Sequence, residues 1–131
     1  MSPLQQYIDK AANLVEALPY IQSFRGKTVV VKYGGSTMKG ADDDTVLKDL
    51  VFMESVGINP VIVHGGGPAI DRQLKAKNIE TQRVNGLRIT DQATMQVVEE
   101  TLFGEVNAGI VDAVRDLGGQ PVAVSARDAG I

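Results

Sequence analysis

Two clusters of glycine stand directly behind two β-branched runs. They read Thr28-Val29-Val30-Val31-Lys32-Tyr33-Gly34-Gly35-Ser36 and Pro60-Val61-Ile62-Val63-His64-Gly65-Gly66-Gly67-Pro68. Glycine lets the backbone approach a ligand where a Cβ would stand in the way. A strand that opens through such a turn into a helix presents backbone N–H groups to an anion. Lys32 adds a compact positive charge of the kind that neutralises phosphate oxygens. Alone it reads more readily as a solvated lysine at a strand end, but the Tyr33-Gly34-Gly35-Ser36 that follows reverses this in favour of the ligand reading. Lys32, Gly34 and Gly35, with Gly65, Gly66 and Gly67, form a candidate clamp around a phosphoryl group in transfer. Neither the Gly-x4-Gly-Lys-Ser/Thr loop nor the Gly-x-Gly-x-x-Gly dinucleotide turn is present.

Four further features could take part. Arg88 follows the Asn85-Gly86 pair by two residues, and its planar fork suits a carboxylate held through two bonds; a cross-strand salt bridge is the plainer reading. His64 could bond a substrate or orient the glycine turn, or simply satisfy backbone carbonyls. Asn107 is either polar surface or a reach toward the site. Asp42-Asp43-Asp44 reads as the acidic start of a helix rather than as a metal site.

The elements that position these residues follow from periodicity. Leu4, Tyr7, Ile8, Ala11, Leu14, Val15 and Leu18 mark one helical face, with Ser2 as its cap and Pro3 in its first turn. Pro19 predicts a kink or break at Leu18. A strand is expected over 28–33, a helix from the acidic run to about Val56, a strand over 60–64, and a helix from Pro68 to about Lys77. Arg83 to Ile89 alternates around Asn85-Gly86, a hairpin signal. Thr90 is the expected cap of a helical region from Asp91 to about Leu117, divided at Gly104 and ended by Gly118-Gly119. Pro121 to Val124 predicts one more strand. The order describes an α/β fold: an open, mainly parallel sheet sandwiched by helices, carrying a β-hairpin and preceded by an amphipathic helix. We divide it into the N-terminal helix, 1–25, as an oligomerisation element, and a ligand-binding lobe, 26–131.

The chain has 131 residues, 44% of them hydrophobic and 22% charged, with a net charge of −3. That balance speaks against nucleic-acid binding, which favours basic patches. No apolar run nears the ~20 residues that cross a bilayer, and the N-terminus lacks the regions of a secretory signal, so a cytoplasmic location is expected. With no cysteine and one histidine, thiol chemistry and multi-histidine metal sites are excluded.

The strings Val31 to Ser36, Val63 to Pro68 and Val84-Asn85-Gly86-Leu87-Arg88-Ile89-Thr90-Asp91 resemble those of the N-acetyl-L-glutamate kinases, in the amino-acid kinase superfamily. Met95 to Glu99 and Val106 to Val111 continue the likeness. The Lys-x-Gly-Gly turn is shared with aspartokinases, whereas the His-Gly-Gly-Gly turn with Asn-Gly-Leu-Arg is more specific. The resemblance implies transfer of the γ-phosphoryl group of ATP, held with Mg2+, to the side-chain carboxylate of N-acetyl-L-glutamate in arginine biosynthesis. Carried over by motif, Lys32 and the backbone amides of Gly35 and Gly66 would hold the transferring group, with Gly34 in the same turn. Gly65 to Gly67 would frame acetylglutamate, and Arg88 would bind its α-carboxylate. It further implies a homo-oligomer through the sheet edge and the N-terminal helix, arginine as an inhibitor, and the PII protein as a partner in phototrophs. Family members run to about twice this length, so the resemblance places nucleotide binding in a second half and gives these residues the substrate half, inactive alone. Ser125-Ala126-Arg127-Asp128-Ala129-Gly130 departs from the family's usual Ser-Gly-Lys-Asp-Gly. The alternatives are another amino-acid kinase, such as an aspartokinase relative, and a non-catalytic binding or assembly module.

Overall fold

The computed structural model describes residues 2–34, 45–128 and 130. Helix α1 (Pro3–Phe24) is followed by strand β1 (Thr28–Tyr33), helix α2 (Thr45–Ser55), strand β2 (Asn59–His64) and helix α3 (Gly67–Ala76). The short strands β3 (Arg83–Val84) and β4 (Leu87–Arg88) come next, then α4 (Gln92–Glu99), a π-helical stretch (Glu100–Asn107) and α5 (Ala108–Asp116). The fold is α/β, and no helix among the described residues is long and apolar enough to cross a membrane.

Strands β1 and β2 pair in parallel, in a register that runs from Thr28 opposite Asn59 to Tyr33 opposite His64. Side chains alternate across a strand, so Val31, Tyr33 and Ile62 face one way. They meet Leu47 and Leu50 of α2, Val106 of the π stretch, and Ile110 and Val114 of α5 in the main core. A second cluster packs Ile70 and Leu74 of α3 on Val97 of α4. The other side of the sheet, with Val61 and Val63, lines an open cleft of about 1430 Å³ together with Met95, Phe103 and Val124.

Four local expectations are corrected. First, α1 is not broken at Leu18: it runs through Pro19 to Phe24. Proline removes one i→i−4 bond and adds a clash, but the helical bonding resumes beyond it, as Arg25 N–H donating to the Ile21 carbonyl attests. No residue of α1 is buried, so its apolar row meets no core. Second, the helical run over 92–116 is not divided at Gly104, which lies inside the π stretch; wider i→i+5 winding absorbs the irregularity without a break. Third, residues 121–125 form no strand. A strand needs a neighbour to take its N–H and C=O groups; here Val122 and Val124 are 84% and 68% exposed, and Pro121 brings no donor.

Fourth, the cap of α4 is Asp91, not Thr90: its Oδ1 accepts from the Thr94 backbone N–H at 2.8 Å, while the Thr90 hydroxyl turns back to the Arg88 carbonyl. Hydrogen bonds from the Thr94 side chain and then its backbone hold the Asp91 carboxyl below the usual carboxylate range. A carboxyl whose folded pKa is depressed adds stability above its unfolded value and loses it as pH falls through the folded value. Thermal melting is therefore expected to weaken as pH drops below about 4, and Asp91→Ala to remove part of that acid dependence. An acid limb identical in the variant would show that the cap plays no part in it.

Candidate active site

The β1–β2 register sets Gly34, directly behind β1, beside Gly65 of the second glycine turn. Gly65 N–H donates to the Tyr33 carbonyl at 3.1 Å, and a Cβ on Gly34 would stand 3.3 Å from the Gly65 nitrogen. Lys32, opposite Val63, is exposed at the same sheet end, where open α/β sheets place their ligands. Gly35 and the acidic run Asp42-Asp43-Asp44 lie outside the described residues.

The second turn leads directly into α3, with Gly66 as its cap and Pro68 in its first turn. The first N–H groups of a helix have no partner within it, and the macrodipole adds partial positive charge there. This end can therefore draw an anion. Gly66 is fixed from behind: a Cβ there would meet Leu102 Cδ2 at 2.6 Å and Val106 Cγ2 at 3.1 Å. Gly66→Ala is accordingly expected to make the Leu102 and Val106 side chains shift and to cost about 1 kcal/mol, the low end of the usual range for overpacking. Urea denaturation measures it, and a variant as stable as the wild type would contradict the close packing.

His64 and Asn107 meet behind this turn. The His64 Nδ1 lies 3.0 Å from the Gly65 carbonyl, and the Asn107 amide nitrogen 3.1 Å from His64 Nε2. A carbonyl only accepts and an amide NH2 only donates, so both bonds form in the Nδ1–H tautomer. With both ring nitrogens engaged by protein groups, His64 stands as a brace between β2 and the π stretch. Leu102 and Asn107 of the π stretch thus both serve this turn, one against Gly66 and the other through His64. On α3, Arg72 pairs with Glu105, and Gln73 donates to the same carboxylate at 2.7 Å.

Arg88 emerges from a turn in which Asn85 and Gly86 both have positive φ, 51° and 81°, the backbone of a two-residue hairpin. Its side chain is only 13% exposed. Nη2 donates to Asp71 Oδ1 at 2.5 Å and Nη1 to Thr81 Oγ1 at 3.1 Å. Asp71 lies four residues beyond Gly67, about 6 Å along the helix axis, so Arg88 is moored one turn from the glycine loop. Arg83 donates to both Asp71 oxygens at 3.1 Å. The hydrogen bond from Arg88 first, and that from Arg83 after it, holds the Asp71 carboxyl below the usual carboxylate range. Asp71, Thr81 and Arg83 carried no signal of their own in the sequence. Among the described residues, no three His, Cys, Asp or Glu side chains gather as a metal-holding group. Lys32 and the glycine amides instead suit an anion, and Arg88 suits a carboxylate.

The amino acid kinase family matches residues 27–131 of the chain. The acetylglutamate kinase of Carboxydothermus hydrogenoformans is 50% identical over 129 residues, which are 98% of this chain and 44% of that protein. The acetylglutamate kinase of Thermoanaerobacter pseudethanolicus is 52% identical over 122 residues, 92% of this chain and 41% of that protein. Among solved structures, N-acetylglutamate synthase from Neisseria gonorrhoeae, complexed with coenzyme A and N-acetyl-glutamate, matches with a TM-score of 0.69. Its identity is 27%, over 86% of this chain and 26% of that one. The chain spans about two-fifths of the length of the curated relatives it matches.

Proposed function

Because the chain belongs to the amino acid kinase family, we propose that it supplies the acetylglutamate-binding part of an N-acetyl-L-glutamate kinase. In that reaction a side-chain carboxylate oxygen of N-acetyl-L-glutamate attacks the γ-phosphorus of ATP. The bond from that phosphorus to the β–γ bridging oxygen breaks, ADP leaves, and an acyl phosphate forms. A carboxylate is already ionised at neutral pH, so no general base is required. Catalysis then consists mainly of positioning and charge neutralisation, and Mg2+ enters with the nucleotide phosphates.

The observation that carries the reading is the close approach of Gly34 to the Gly65 turn, together with a mostly sheltered arginine moored one helical turn beyond it. Lys32 and the backbone amides of Gly35 and Gly66 hold the phosphoryl oxygens. Gly65 to Gly67 frame the acetylglutamate, and Arg88 takes its α-carboxylate. The identity to acetylglutamate kinases over nearly the whole chain supports this substrate over aspartate. The row Tyr7, Leu14 and Val15 on α1, exposed to solvent, supports self-association through that helix, and arginine is proposed as a regulator of the assembled enzyme.

Amide spectra recorded during titration test the substrate assignment. N-acetyl-L-glutamate is expected to shift the Gly65, Gly66, Gly67 and Arg88 signals and to leave α1 unmoved. Shifts of equal size with L-aspartate, or none in the glycine turn, would contradict the assignment.

A further inference from the structure

The hairpin sets Arg83 directly opposite Arg88, and like charges at opposite positions repel. Asp71, reaching across from α3, bonds both guanidinium groups. One carboxylate between two arginines leaves a local surplus of one positive charge. Arg88 has five N–H donors, of which one goes to Asp71 and one to Thr81, which leaves three with no protein acceptor among the described residues. The grip comes from two separate elements, α3 and the segment behind it, and it acts on a long side chain with wide rotamer freedom. We propose that Asp71 is a positioning residue for substrate: it fixes the Arg88 guanidinium so that its free donors meet the ligand's α-carboxylate.

This inference rests on the acetylglutamate reading of the site. The opposite role for Asp71 would be that of a resident competitor, occupying the fork that the substrate needs. The two roles predict opposite signs. If Asp71 positions Arg88, the near-isosteric Asp71→Asn, which keeps an acceptor but removes its charge, weakens N-acetyl-L-glutamate binding by roughly 10-fold, the difference between a charge-assisted and a neutral hydrogen bond. If it competes, the variant binds more tightly.

The experiment combines two readouts on the whole chain. The first is the Arg88 Nε–H resonance without ligand, expected to be sharp in the wild type and broadened or lost in Asp71→Asn. The second is calorimetric affinity for N-acetyl-L-glutamate and for its α-amide, which lacks the α-carboxylate. The loss in Asp71→Asn is expected with the acid and not with the amide, a difference that general unfolding would not produce. Thr81→Val, which removes the other mooring, is expected to give the same pattern more weakly. Tighter binding by Asp71→Asn, equal losses for acid and amide, or an unchanged Arg88 resonance would overturn the proposal. A wild-type chain that binds neither compound while Asp71→Asn still frees Arg88 would contradict the substrate assignment and uphold the hold of Asp71 on Arg88.

Discussion

Arg88→Ala is expected to abolish measurable binding of N-acetyl-L-glutamate while leaving the chain folded. The guanidinium is mostly sheltered and is held by Asp71 and Thr81, so a carboxylate reaching it forms charge-assisted bonds with little further ordering. Removing one partner of such a pair costs about 2–5 kcal/mol, a loss of affinity beyond roughly 30-fold. Arg88→Lys is expected to recover little of it, because an ammonium is a point charge without the fork. Calorimetric titration of both variants beside the wild type checks this. Affinity within a few-fold of wild type in Arg88→Ala would remove Arg88 from the site.

The second large effect lies in the core. Leu50 is 4% exposed and packs with Tyr33, Leu47, Val106, Ile110 and Val114. Leu50→Ala deletes buried methyl groups in a cluster that joins α2 and α5 to β1. The cost is expected at about 2–5 kcal/mol, a large share of the ~5–15 kcal/mol that holds a domain folded. Leu14→Ala provides the contrast, since Leu14 is 67% exposed on α1 and a change there is expected within about 0.5 kcal/mol. Urea denaturation of the two variants reads the difference directly. Equal destabilisation would mean that α1 belongs to the folding core, against its lack of buried residues.

The parts legible in the sequence were those governed by local rules. The β-branched runs became β1 and β2, and their register set Tyr33 and Gly34 against Gly65. Asn85-Gly86 formed the hairpin because both residues take the positive φ that such a turn needs. Gly118, at φ 88°, ended its helix as expected. What escaped lay in distant partners or in choices between near-equal local signals. Pro121 to Val124 has strand residues but no neighbouring strand among the described residues to complete a ladder. Gly104 divides a helix only where the 3.6-residue winding must be kept, and the π stretch does not keep it. The Asp71 mooring joins residues 17 positions apart, and no spacing rule links a helix carboxylate to a hairpin arginine. Thr90 and Asp91 are both good caps, and only the Thr94 bond decided between them.

The most direct measurement is calorimetric titration of the purified chain with N-acetyl-L-glutamate in the absence of ATP, with the α-amide as the matched control. Saturable binding of the acid, strongly weakened for the amide and lost in Arg88→Ala, is the expected result. A cooperatively folded chain that binds neither compound, or that binds both equally well, would contradict the assignment of this glycine-turn and arginine site to acetylglutamate.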